Sequence, residues 1–184
     1  DDGSTDSSAG IIRSYNDPRV RHITNERNLG LVASLNKGIE AALGTYIARM
    51  DGDDIMRPER LARQVETMRT DPGISVLATT VDLINTDGEV YGAWDTDRAA
   101  LSGTDLRAMM PRTNCIAHPS VMIRRDALGG LRYDARQHGA EDWDMWLRLM
   151  ARGHRIAKLE EPLLAYRVHP ASITAQAKQR IPLE

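Results

Sequence analysis

The chain has 184 residues, 41% of them hydrophobic and 27% charged, with a formal net charge of −2. That composition suits a globular protein with one sizeable core, and with no Lys/Arg run it excludes a phosphate-tracking nucleic-acid surface. No apolar run approaches the roughly 18 residues of a membrane span, and the single cysteine, Cys115, excludes a disulfide framework or a cysteine zinc site.

The chain opens on "DDGSTD", residues 1–6, a turn-like stretch. "NLGLVASLNKGIEAALG" then spaces Leu31, Leu35, Ile39 and Leu43 on one helix face, with Gly44 expected as a left-handed C-terminal cap. "TYIARM" is a predicted strand that delivers "DGDD" at its carboxyl end. Pro58 fits the first turn of a following helix, whose buried stripe is expected at Leu61, Val65 and Met68. "ISVLATTVDLI" is a predicted buried strand, and Asp87-Gly88 signals a hairpin into "EVYGAW". This alternation of strand and helix predicts an α/β fold with a mainly parallel sheet flanked by helices.

The second half differs. Residues 95–113 are polar and irregular, with a short helix expected around Leu106 to Met110. "CIAHPSVMI" is a strand candidate, and "EDWDMWLRLMARG" is an amphipathic helix offering Trp143, Trp146, Leu147 and Met150 for burial and closed by Gly153. "RIAKL" and "PLLAYRV" are expected as two short strands. A division follows, with residues 1–94 as one half and residues 95–184 as a smaller lobe.

Asp51, Asp53 and Asp54 fall within four positions, where like charges repel by about 1 kcal/mol per pair even in water. A turn with a helix cap explains Asp and Gly equally well in isolation. A calcium-binding helix–loop–helix does not, because its glycine and glutamate positions hold Met56 and Ala62. Position favours a ligand site: open α/β sheets bind ligands beyond the carboxyl ends of their strands. Carboxylates there suit Mg²⁺ or Mn²⁺, which complete their shell with water and phosphate oxygens. Arg49, on the strand feeding the cluster, is expected to neutralise it. Asp54 is expected to be a local hydrogen-bonder rather than a ligand, and His118 a satisfied structural histidine.

"DDGSTD" (1–6), "NLG" (28–30), "YIARMDGDD" (46–54), "EDWDMWLRL" (141–149) and "YRVHPASIT" (166–174) together resemble, in content and order, the family 2 glycosyltransferases of the GT-A fold. The resemblance implies a Rossmann-like GT-A sheet and transfer of a sugar from a nucleotide diphosphate donor, commonly UDP-linked, to an acceptor hydroxyl with inversion. It implies nucleotide contacts at Asp2, Gly3, Ser4 and Asp51, with Asp2 on the base and Asp51 near the ribose. It implies Mg²⁺ or Mn²⁺ at Asp53, with His169 nearby, and Asp142 as catalytic base beside Glu141. The family's first strand would precede Asp1, so a vacant central sheet position and lowered stability are expected. Implied partners are the nucleotide-sugar donor and a saccharide, lipid-linked or protein acceptor, with no nucleic acid. The expected setting is bacterial cell-envelope polysaccharide synthesis in the cytoplasm, or peripherally at the inner face of the membrane. Two alternatives remain: a sugar-1-phosphate nucleotidyltransferase, which usually carries a Gly-rich basic loop near its start, and a non-catalytic nucleotide-sugar-binding module.

Overall fold

The computed structural model describes residues 1–170 and 172. Helix α1 (Ser8–Ser14) and helix α2 (Leu31–Ala41) precede strand β1 (Tyr46–Ala48) and the short strand β2 (Ile55–Met56). Helix α3 (Arg60–Thr70), strand β3 (Ile74–Ile84) and strand β4 (Val90–Ala93) follow, then helices α4 (Asp95–Ala99) and α5 (Gly103–Met109). Strand β5 (Met122–Arg124), helix α6 (Glu141–Ala151) and strand β6 (Arg155–Arg167) complete the described elements.

The sheet order is β1-β5-β3-β6-β2, with β4 hydrogen-bonded to β3 beyond Asp82. The α/β class holds, but the sheet is mixed rather than mainly parallel. Its longest pairing, β3 with β6, is parallel, whereas the other four pairings are antiparallel. One strand, β6, replaces the two short ones expected; irregular register opposite Thr79 and Thr80 absorbs the break in pattern before Pro162.

Strand β3 is buried on both faces, and its side chains feed two clusters, with a register shift between Ile74 and Val76 breaking the strict alternation. Val76 and Ala78 join Leu106 of α5 and Met145, Trp146 and Leu149 of α6. Ile74 and Leu77 join Met68 of α3 and Met122 of β5. The two halves of the chain therefore share one sheet and one core.

Three local expectations are corrected. Helix α2 ends at Ala41, Leu43 is 77% exposed, and Gly44 is not left-handed. Residues 117–121 form a 3₁₀ turn at His118–Ser120, because Pro119 cannot donate to a ladder; only Met122–Arg124 of "CIAHPSVMI" is strand. The polar 95–113 stretch contains two helices, of which α4 was not foreseen and α5 starts at Gly103.

The buried side of α3 departs furthest from expectation. It consists of Arg60, Gln64 and Met68, while Leu61 is 40% exposed. Pro58 lies two residues ahead of the helix. Arg60 Nη2 donates to the carbonyls of Arg49 (2.8 Å) and Val121 (3.3 Å). Gln64 Nε2 donates to those of Leu77 (2.8 Å) and Ser120 (2.9 Å). These buried polar side chains are thereby tied to backbone carbonyls of the segments that converge beside β3.

Candidate active site

The β1 ladder continues one residue past the strand, where the Arg49 N–H donates to the Val121 carbonyl at 3.0 Å. The chain then leaves the sheet through Asp51–Asp54 on its way from β1, at one edge, to β2, at the other. Oxygens of Asp51, Asp53 and Asp54 lie within 4.8 Å of one another.

Each carboxylate is held differently. Asp51 is paired in bidentate fashion with the buried Arg49, Nη1 to Oδ2 at 2.6 Å. Burial pushes the Asp51 carboxyl up, Arg49 opposes this, and the charges of Asp53 and Glu141 add to it. Asp54 accepts the Arg167 N–H on Oδ1 at 2.8 Å, while its buried Oδ2 has no hydrogen-bond partner. Burial, with repulsion from Asp51 and Asp53, raises the Asp54 carboxyl to about 6. Asp53 is the exposed member, and His169 Nε2 stands 3.1 Å from its Oδ2. Arg167 ties the loop down: Nε donates to the Asp53 carbonyl (2.7 Å), and Nη1 to those of Asn85 (2.7 Å) and Thr86 (2.8 Å).

This donor set fits a hard divalent cation. It offers carboxylate oxygens, one imidazole nitrogen, and a buried carboxylate oxygen that no protein donor satisfies.

Glu141 and Asp142 occupy the first turn of α6, where the helix dipole favours negative charge. Asp142 Oδ2 accepts from Asn114 Nδ2 at 2.8 Å. Burial pushes the Asp142 carboxyl up, and the neighbouring Glu141 contributes. Arg49 is the common electrostatic partner, favouring the ionised forms of Asp51, Asp54 and Asp142 alike. His118 is buried and hydrogen-bonded to the Tyr133 hydroxyl at 2.8 Å, a satisfied structural histidine.

The opening motif meets the "NLG" motif. Asp2 accepts from the backbone N–H groups of Leu29 (2.8 Å) and Gly30 (2.9 Å) and from Asn25 Nδ2 (2.8 Å). The Leu29 N–H above all holds its carboxyl below the usual range. Gly3 has φ of +73°, and a Cβ there would sit 2.7 Å from the Arg27 carbonyl carbon, so only glycine fits. The Ser4 N–H donates to Asp1 Oδ1 at 2.9 Å.

The structure thus gathers Asp51, Asp53, Asp54 and His169 directly, and couples Glu141 and Asp142 to them electrostatically. Asn114 and Arg167 are members of the site that sequence reasoning did not single out. For Arg167 a signal existed, since it lies inside "YRVHPASIT"; Ala171, Ile173 and Thr174 of that motif lie outside the described residues.

Residues 1–132 match the family model described as Glycosyl transferase family 2. The chain belongs to glycosyltransferase family 2. Among relatives of this family 2 chain, a glycosyltransferase of Methanocaldococcus jannaschii, MJ1057, is 34% identical over 160 residues, covering 86% of this chain and 54% of the relative. The amylovoran biosynthesis glycosyltransferase AmsE of Erwinia amylovora is 33% identical over 144 residues, covering 77% and 52%. The chain therefore spans about half the length of the curated relatives it matches. Two solved structures share the GT-A fold of this family 2 chain. Residues 1–349 of S. aureus TarS with UDP-GlcNAc superpose with a TM-score of 0.76 at 18% identity, covering 95% of this chain and 50% of that one. The mannosyltransferase PcManGT of Pyrobaculum calidifontis with GDP-Man and Mn²⁺ gives 0.68 at 16%, covering 98% and 50%. Among the described residues no helix is long and apolar enough to cross a membrane.

Proposed function

We propose that this chain transfers a sugar from a nucleotide diphosphate donor, UDP-linked, to an acceptor hydroxyl with inversion, assisted by Mg²⁺ or Mn²⁺. One observation carries the reading: a carboxylate cluster with an unsatisfied oxygen, electrostatically linked through Arg49 to a separate carboxylate pair at the start of α6. The nucleotide sugars bound to TarS and PcManGT, and the Mn²⁺ of the latter, are consistent with such a donor and ion.

Asp53 and His169 would hold the cation, with Asp51 and Asp54 in reach. Bound there, the ion supplies neutralisation of the charge that develops on the departing diphosphate. Asp2, Gly3 and Ser4, with Asp51, form the nucleotide side of the site. Asp142 takes the proton from the acceptor hydroxyl as its oxygen bonds to the anomeric carbon. The bond from that carbon to the diphosphate oxygen breaks on the opposite face, and the diphosphate leaves with the electron pair. In this reading residues 1–94 are the donor half and residues 95–184 the acceptor half, functional halves built on one sheet. The acceptor is a saccharide, lipid-linked or protein hydroxyl; AmsE, named for amylovoran biosynthesis, favours the growing-polysaccharide case. The setting in this reading is the cytoplasm, or the inner face of the membrane.

The test uses Asp142→Asn, with Glu141→Gln as control, on a panel of UDP-glucose, UDP-GlcNAc and GDP-mannose. Asp142→Asn is expected to lower kcat by about 10²- to 10⁴-fold with donor affinity nearly unchanged. Near-normal turnover, or donor binding that collapses with the rate, would overturn the assignment.

A further inference from the structure

Asp142 is held by an arrangement that reaches far from the acidic cluster. Asn114 Nδ2 donates to it at 2.8 Å, and the orientation of that amide is fixed from its other end. Asn114 Oδ1 accepts the Ile116 N–H at 3.2 Å, so a flipped amide would lose both bonds and set like groups against each other. The next carbonyl, of Cys115, accepts from Lys158 Nζ at 2.6 Å. Lys158 is also bound to Asp97 Oδ1 (2.8 Å) and to the Asp97 carbonyl (2.6 Å), with both side chains fully buried. Asp97 Oδ2 in turn accepts the Val81 N–H of β3 at 3.1 Å. On the α6 side, Trp143 Nε1 donates to the Met110 carbonyl at 2.7 Å. The segment from Met110 to Ile116 is thus gripped at both ends.

A buried ion pair is a poor source of net stability, since an apolar pair of similar volume does as well or better. What it supplies here is position: one ammonium with three acceptors fixes the Cys115 carbonyl, and with it Asn114, against the central strands β3 and β6. We propose that Asn114 is the positioning residue of the Asp142 carboxylate, and that the buried Asp97–Lys158 pair is the anchor that keeps Asn114 in place. The proposal rests on the reading of Asp142 as the base.

The groups facing Asp142 act in opposite directions. Burial and Glu141 disfavour its ionised form, while Asn114, the Trp143 N–H and Arg49 favour it. Tyr133, which feels the Asp142 charge, is itself pushed up by burial and stays neutral. Removing the Asn114 donor therefore leaves a carboxylate that ionises only at higher pH.

The test is a carboxyl ¹³C titration by NMR on the whole chain, with the Asp142 signal assigned by its loss in Asp142→Asn. Asn114→Leu is expected to raise the Asp142 midpoint by about one to two pH units, the effect of losing a hydrogen bond to a charged group. Asn114→Ala removes the same donor without adding charge or bulk, so it reads the same effect even if Asn114→Leu fails to fold. A midpoint unmoved in folded Asn114→Ala overturns the positioning role. A midpoint unmoved in the Asp97→Asn/Lys158→Met double variant overturns the anchor. Kinetics separate the two readings. Normal turnover in Asp142→Asn contradicts the base assignment whatever the titration shows. An inactive Asp142→Asn with unmoved midpoints in the Asn114 variants contradicts the positioning role alone.

Discussion

Two of the regions where this molecule buries acidic side chains treat them in opposite ways. At Asp97 both carboxylate oxygens are occupied, one by Lys158 and one by the Val81 N–H, and the Lys158 ammonium is satisfied three times over. At the exit of β1 three carboxylates converge with one full cationic partner, Arg49, on Asp51. There Asp54 Oδ2 and Arg49 Nε are buried without hydrogen bonds. Buried polar groups are ordinarily paired, and unpaired ones carry a free-energy cost. The closed pair is architecture, whereas the open cluster has valence left for something from outside the chain.

The largest way to probe this contrast is Lys158→Met. It strands Asp97 in the core and should cost about 3–5 kcal/mol, with most of that recovered in the Asp97→Asn/Lys158→Met double variant; chemical denaturation measures both. If the single variant melts normally, the pair is not closed in the sense argued. Arg49→Met should cost about 1–3 kcal/mol, and it should also leave stability strongly dependent on added Mn²⁺, because Asp51 then lacks its partner. A loss that Mn²⁺ does not restore would contradict the open valence. Smallest is Asp54→Asn without divalent ions, a gain of about 1 kcal/mol at neutral pH. The sign follows from linkage. The Asp54 carboxyl stands near 6 in the fold against about 3.9 in an unfolded chain. The wild type therefore loses stability as pH rises from about 4 to 6 and stays at that lower level above it. The advantage of Asp54→Asn should accordingly shrink as pH falls from about 6 to about 4. Thermal melts across pH give the result, and an advantage independent of pH would argue against a charge effect.

How far these features were legible in the sequence depended on what kind of force placed them. The acidic cluster, the Trp-rich helix α6 and the hairpin at Gly88 follow from composition and period, and each lies where expected. Arg49 was foreseen as a neutralising partner because it precedes the cluster by only two residues. The stripe of α3 was misjudged because hydrophobicity marks Leu61, while the fold turns Arg60 and Gln64 inward to donate to the carbonyls of Arg49, Val121, Leu77 and Ser120. Those acceptors come together only once the sheet is in place. Asn114 and Lys158 were missed for a related reason. They act through Asp142 and Asp97, which are 28 and 61 positions away, and no periodicity connects such pairs. The mixed sheet was read as mainly parallel because alternating strands and helices suggest parallel crossovers. The antiparallel partners β1, β2 and β5 are only two or three residues long and leave little pattern.

The most direct test of the central claim is calorimetric titration of uridine diphosphate into the chain with Mn²⁺ and with chelator, on wild type, Asp53→Ala and Asp54→Ala. The account predicts binding that requires the ion. It also predicts that Asp53→Ala, which removes the exposed carboxylate beside His169, loses most of the affinity, while Asp54→Ala, whose Oδ1 is held by the Arg167 N–H and whose Oδ2 is a further donor in reach, loses a smaller part. Tight binding in chelator, or equal losses in the two variants, would contradict it.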